Sequence, residues 1–236
     1  LLPGQPWRVH DQFRPRPRRV EPPATEVIVP PPGDAVVLFS GDSLSEWAHR
    51  DHEEEGALYE AQWAIRDGYF EVARGHGDLY SLENFGSVQL HMEWSCPEGV
   101  SGSSQGKGNS GIKFLGLYEV QILDSYQNRT YADGQAAAIY GQYPPDVNAS
   151  RPAGQWQSYD IVFEIPKFEG DTLISPGYLT VFHNGVLVHH RRELVGVTGM
   201  RSPGKYQPHP PAGPIMLQDH GAPVRFRNIW VRPLDR

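Results

Sequence analysis

Short runs in which apolar and polar residues alternate recur along this chain, and the clearest is Tyr118-Glu119-Val120-Gln121-Ile122-Leu123-Asp124. A period of two puts Tyr118, Val120 and Ile122 on one face of a strand and Glu119 and Gln121 on the other. Runs of the same kind predict strands over Trp63–Ile65, Tyr69–Ala73, Ser87–Trp94, Gly111–Leu115, Leu117–Leu123, Gln157–Ile165, Tyr178–His183, Val186–Arg191, Gly213–Gln218 and Val224–Pro233. Asn184-Gly185, and again Asp67-Gly68, stand between two such runs and suit the positive φ of a tight hairpin turn. No segment carries a convincing helical period. The pattern therefore predicts an all-β antiparallel sandwich. Two long polar loops, Pro97–Asn109 and Ser125–Pro152, lack any strand pattern, and loops of that length in a compact domain are usually functional or mobile.

Residues 1–34 carry an excess of proline, including Pro30-Pro31-Pro32, and are expected to run as an extended or polyproline arm. The arm is expected on the domain surface or on a neighbouring subunit, where it could build a homo-oligomer. Residues 35–236 then form one sandwich domain, a size that all-β folds reach without splitting. A net charge of -7 argues against nucleic acid as the main partner, although Arg14, Arg16, Arg18 and Arg19 make the arm locally basic. No apolar run is long enough to span a bilayer. Cys96 is the single cysteine, so no internal disulfide forms. The opening Leu1-Leu2-Pro3-Gly4 fits a chain whose export signal has been removed, which gives periplasmic or extracellular as the expected location.

The same face argument locates candidate chemistry. In Val88–Trp94 the apolar set leaves Gln89, His91 and Glu93 together, Lys113 turns away from Ile112 and Phe114, and Gln218 and His220 turn away from Ile215 and Leu217. If these strands share a sheet, one surface gathers His91, Glu93, Lys113, Glu119, Gln121, Asp124, Gln218 and His220. Asp124 belongs there only if the strand ends at Leu123. Such groups suit acid/base chemistry at a sugar, with lysine or a metal stabilising oxyanion charge. His91, Glu93, Glu119 and His220 are the residue types that could hold a divalent ion. Gly106-x-Gly108-x-x-Gly111 does not follow a strand or open a helix and is no dinucleotide site; Asn109-Ser110-Gly111 instead lets the backbone enter a strand tightly beside a ligand. Trp47, Trp63, Trp94, Trp156 and Tyr140 are candidates for stacking on sugar rings. The run Glu53-Glu54-Glu55 beside His49 and His52 reads as a solvated loop.

Leu38-Phe39-x-Gly41-x-Ser43-Leu44-x-x-Trp47, Gly108-Asn109-Ser110-Gly111-Ile112, Tyr118 to Ser125, Ala138-x-Tyr140-Gly141, Leu217-Gln218-Asp219-His220-Gly221 and Arg225-Phe226-Arg227-Asn228-Ile229 together resemble the DUF1080 family, also described as 3-keto-disaccharide hydrolases. The resemblance implies a concanavalin A-like jelly roll of two curved antiparallel sheets and bacterial carbohydrate metabolism. It also implies a substrate oxidised at C3, whose acidified C2 proton permits elimination at C1 followed by hydration. On face position plus resemblance, His220 or His91 is the candidate base, and Glu119 and Asp124 are further acid/base or metal-binding candidates. Glu93, Lys113, Gln121, Gln218, Asn109 and Tyr140 are expected to bind substrate. Two rivals stand beside this reading. A retaining glucanase needs two carboxylates about 5 to 5.5 Å apart, and a carbohydrate-binding module would bind without turnover through aromatics.

Overall fold

The computed structural model describes residues 1–24, 28–50, 57–199 and 204–234; His52 and Glu53-Glu54-Glu55 fall outside them. The alternating segments pair into two antiparallel sheets. One has six strands in the order Tyr118–Ile122, Ser110–Phe114, Gly213–Leu217, Leu79–Phe85, Trp47–Arg50 and Leu58–Glu60. The other runs Val186–Glu193, Tyr178–His183, Gln157–Glu164, Val88–Ser95, Arg225–Pro233, Tyr69–Glu71 and Ala64–Arg66, with Val36–Phe39 also paired to Arg225–Pro233. Leu79–Phe85 escapes the simple alternation rule because Ser81 is buried and Leu82 is exposed. The Ser81 hydroxyl accepts a bond from the Ile215 N–H at 2.9 Å, which is why a polar residue is tolerated inward.

The apolar faces of the two sheets meet. Ile112, Phe114, Tyr118, Val120, Ile122 and Leu217 come from the six-stranded sheet, and Leu90, Met92, Trp94, Tyr159, Ile161, Phe163 and Phe226 from the eight-stranded one, all buried. Across the interface the Phe114 and Phe163 rings stack 4.6 Å apart, and the Tyr159 hydroxyl donates to the Gln121 carbonyl at 2.7 Å. Each buried aliphatic or aromatic side chain here contributes about 1.5–3 kcal/mol. The hairpin read from Asn184-Gly185 forms with φ of 52° and 77°, the left-handed pair that a type I′ turn requires.

The proline-rich segment lies against the sandwich and is turned as well as extended. Leu2 is buried, and the Leu2 N–H donates to the Trp7 carbonyl at 2.8 Å. Arg14 is buried and donates to the Gln142 carbonyl at 3.1 Å and to Gln5 Oε1 at 2.6 Å. Arg18–Arg19 pairs in parallel with Val147–Asn148. Further on, Asn228 Nδ2 and Trp230 Nε1 each donate to the Val29 carbonyl at 3.1 Å, so this stretch crosses the outer face of the eight-stranded sheet. Among the described residues, no helix is long and apolar enough to cross a membrane.

Candidate active site

The polar face of the six-stranded sheet is assembled by register. Glu119 stands opposite Lys113 and Gln121 opposite Gly111, while Lys113 stands opposite Met216 on the other side. The Gln218 N–H donates to the Gly111 carbonyl at 3.0 Å, which brings Gln218 level with the Gly111–Gln121 row. A cavity of about 240 Å³ opens over these rows, lined by Asn109, Lys113, Glu119, Gln121, Tyr140, Thr198, Gln218 and His220. Gly111 makes the space: a Cβ there would lie 2.5 Å from Glu119 Oε1.

Glu119 is held from both sides of its backbone. Its N–H donates to Thr198 Oγ1 at 2.9 Å, and its carbonyl accepts from the Tyr140 N–H at 3.1 Å. Burial raises the pKa of its carboxyl, and the Lys113 ammonium, 3.6 Å from Oε2, opposes that rise without cancelling it. The Gln121 amide is 3.2 Å from Glu119 Oε1. With its nitrogen on that side it donates to the Glu119 carboxylate and, at 3.3 Å, to the Ser110 carbonyl. The Tyr140 hydroxyl lies 2.8 Å from that of Tyr131, and burial pushes the Tyr140 pKa up, so it remains a neutral donor. His10, from the proline-rich segment, sets its ring 4.0 Å from Tyr131 and 5.0 Å from Tyr140.

His220 stands exposed at the mouth of this cavity, on a turn pinned by its neighbour. The Asp219 carboxylate accepts from the N–H groups of Gly75 at 2.7 Å, Gly77 at 3.3 Å and Gly221 at 2.8 Å. The Asp219 N–H in turn donates to Asp78 Oδ1 at 2.7 Å. A second cavity, of about 490 Å³, lies on the other side and shares Asn109 and His220 with the first.

Three expected members are elsewhere. His91 and Glu93 sit on Val88–Ser95, in the eight-stranded sheet, and their faces point away from the sandwich core on the side opposite to Glu119. Alternation assigned them correctly to a polar face but could not say of which sheet. There His91 Nδ1 donates to Asp160 Oδ1 at 2.7 Å and its ring stacks on Trp230. Burial lowers the pKa of this imidazole, but the Asp160 and Glu93 carboxylates outweigh it and leave the pKa raised. Burial likewise disfavours the Glu93 carboxylate, yet His91, Asn228 and Arg227 bring its pKa down to about 2. Asp124 lies past the end of Tyr118–Ile122, its Oδ2 2.9 Å from Lys107 Nζ, and it lines neither cavity. Its role is to tie the loop before Ser110 to the end of the strand.

The residues considered for a divalent ion therefore split, Glu119 and His220 at the cavity and His91 and Glu93 on the other sheet. Among the described residues, no group of three or more His, Cys, Asp and Glu side chains could hold a metal ion. Of the aromatics, Trp47, Trp63 and Trp94 are buried in the core, Trp156 lies under the Arg227 guanidinium, and Tyr140 alone reaches the cavity. Thr198, Tyr131 and His10 join the site from loops and from the proline-rich segment, where no periodicity marks them.

Two face-packed antiparallel sheets, with an acid, an amine, amides and an imidazole gathered on the outer face of one, define a jelly-roll β-sandwich with a polar site on one sheet. More closely, residues 34–232 match the family described as a 3-keto-alpha-glucoside-1,2-lyase-like domain, and the chain belongs to that family. It is 24% identical to a 3-keto-disaccharide hydrolase of Bacteroides thetaiotaomicron, over 85% of this chain and 78% of that one. A crystal structure from Parabacteroides distasonis, provisionally described as a glycosyl hydrolase, superposes with a TM-score of 0.82 at 38% identity, covering 94% of each chain. A second structure from that organism, with the same description, shares the fold at a TM-score of 0.58 and 18% identity, over 85% of this chain and 94% of that one.

Proposed function

We propose that the protein cleaves 3-keto-glycosides by elimination and rehydration at the site around Glu119. The observation that carries this reading is a buried carboxylate with a raised pKa beside a lysine, in a cavity where, among the described residues, no second carboxylate lines the walls. Among the described residues, a two-carboxylate glycosidase mechanism lacks its partner there. A base beside a cation suits proton abstraction next to a ketone.

Glu119 takes the proton from C2, and the electron pair of that C–H bond moves onto the C3 oxygen as an enolate. Lys113 stabilises the developing charge, with Gln121, Gln218 and Asn109 as hydrogen-bonding groups around the ring. The enolate then re-forms the ketone as the C1–O bond breaks, and the departing oxygen takes a proton from His220 at the cavity mouth. Water adds to C1 of the resulting enone and C2 regains a proton, so the net reaction is hydrolysis. No covalent glycosyl-enzyme is needed.

Incubation with an α-glucoside and its 3-keto derivative tests the scheme. Only the oxidised compound is expected to be cleaved, with deuterium appearing at C2 of the product in D₂O. Glu119→Gln is expected to lower kcat/KM by about 100- to 10,000-fold. The base must be ionised to act, and its pKa is raised above 4.5; the acidic limb of the kcat/KM profile is therefore expected above that pH. Cleavage of the unoxidised glucoside, or full activity in Glu119→Gln, would overturn the assignment.

A further inference from the structure

We infer that the cavity beyond His220 holds the leaving group and that Arg74 selects leaving groups carrying a carboxylate or similar anion; this rests on the reading of the Glu119 site given above. The two cavities share Asn109 and His220 as a common wall. A glycoside whose C1–O bond lies beside His220 has its oxidised ring on the Glu119 side and its leaving group on the other. The second cavity offers Ser101, Gln105, Asn109 and His220 together with glycine backbone, and among the described residues no Phe, Tyr or Trp lines it. Its walls suit a hydroxylated group better than an aromatic one.

Among the described residues, Arg74 is the one Lys or Arg lining this space, and its segment is built into the His220 turn. Asp219 accepts from Gly75, Gly77 and Gly221 at once, which clips the Arg74 loop to the residues on either side of His220. A Cβ at Gly221 would stand 3.5 Å from Arg74 Nε, so the guanidinium stem packs directly over that turn. Arg74 is exposed and, among the described residues, has no carboxylate partner. An exposed guanidinium beside a polar cavity, with no carboxylate partner among the described residues and in a chain of net charge -7, is placed for a planar anion from the substrate.

The test uses two 3-keto-α-glucosides that differ only in the leaving group, gluconate or sorbitol. The wild-type protein is expected to favour gluconate in kcat/KM by about tenfold at low ionic strength, the size of one charge-assisted contact. Added salt shrinks the preference, and Arg74→Gln brings the ratio close to one. A wild-type ratio near one, or an unchanged ratio in Arg74→Gln, overturns the inference. Should neither glycoside be cleaved, the hydrolase reading fails and calorimetry with free gluconate and free sorbitol decides the subsite by itself. Gluconate bound by the wild type and lost in Arg74→Gln upholds it; equal binding or none overturns it.

Discussion

At position 111 the absence of a side chain shapes the site. The Glu119 carboxylate leans over Gly111 so closely that a methyl carbon there would meet Oε1 at 2.5 Å. Gly111→Ala must push the carboxylate aside, and a shift of about 1 Å in a catalytic group costs on the order of 100-fold in rate. Kinetics on a 3-keto-glucoside are expected to show that loss while thermal unfolding moves little, because the crowding falls on a side chain and leaves the core faces untouched. Parity along three strands was enough to read Glu119, Gln121, Lys113 and Gln218 as neighbours. It could not find Thr198, whose hydroxyl accepts the Glu119 N–H. A residue that enters from a loop leaves no period in the sequence, and the same holds for Tyr131.

Among the strands, Val88–Ser95 marks where sequence reading ran out. Its alternation is as clear as that of Tyr118–Ile122, with Val88, Leu90, Met92 and Trp94 all buried inward. Alternation reports which side faces the core, but sheet membership depends on pairing partners far along the chain, here Gln157–Glu164 and Arg225–Pro233. His91 and Glu93 are thus part of an ion-pair cluster that knits the eight-stranded sheet. Glu93 has a pKa lowered from 4.5 to about 2, so its stabilisation is fully present above pH 4.5 and is lost as pH falls through that interval. Glu93→Gln removes the charged partner of Arg227, with Nε at 2.6 Å, and is expected to cost about 2 kcal/mol at pH 7. Urea unfolding of wild type and variant should show that gap narrowing below pH 4.5, with turnover per folded molecule retained at neutral pH.

For the molecule as a whole, the two-sheet plan was legible because both sheets present a continuous apolar face, while the docking of the described part of residues 1–34 was not. Proline content foretells an extended backbone but says nothing of where it docks. Arg14, read as one of four basic residues on an arm, is instead buried and donates to the Gln142 carbonyl two positions beyond Tyr140. Arg14→Ala leaves that carbonyl without its charged donor and is expected to cost about 2 kcal/mol, read as a lower midpoint in thermal denaturation. The proline-rich segment also reaches both outer faces of the sandwich, His10 donating from its N–H to Asp133 on one side and Val29 receiving Asn228 and Trp230 on the other. A growing chain emerges from its N-terminal end, so these first residues precede partners that are translated some 120 to 200 positions later. The contact at Val29 can form only after Arg225–Pro233 has been made, later than those at His10, Arg14 and Arg18–Arg19. Closure at Val29 is therefore a late event in folding, because the polypeptide must lengthen by about 200 residues before that carbonyl meets its donors.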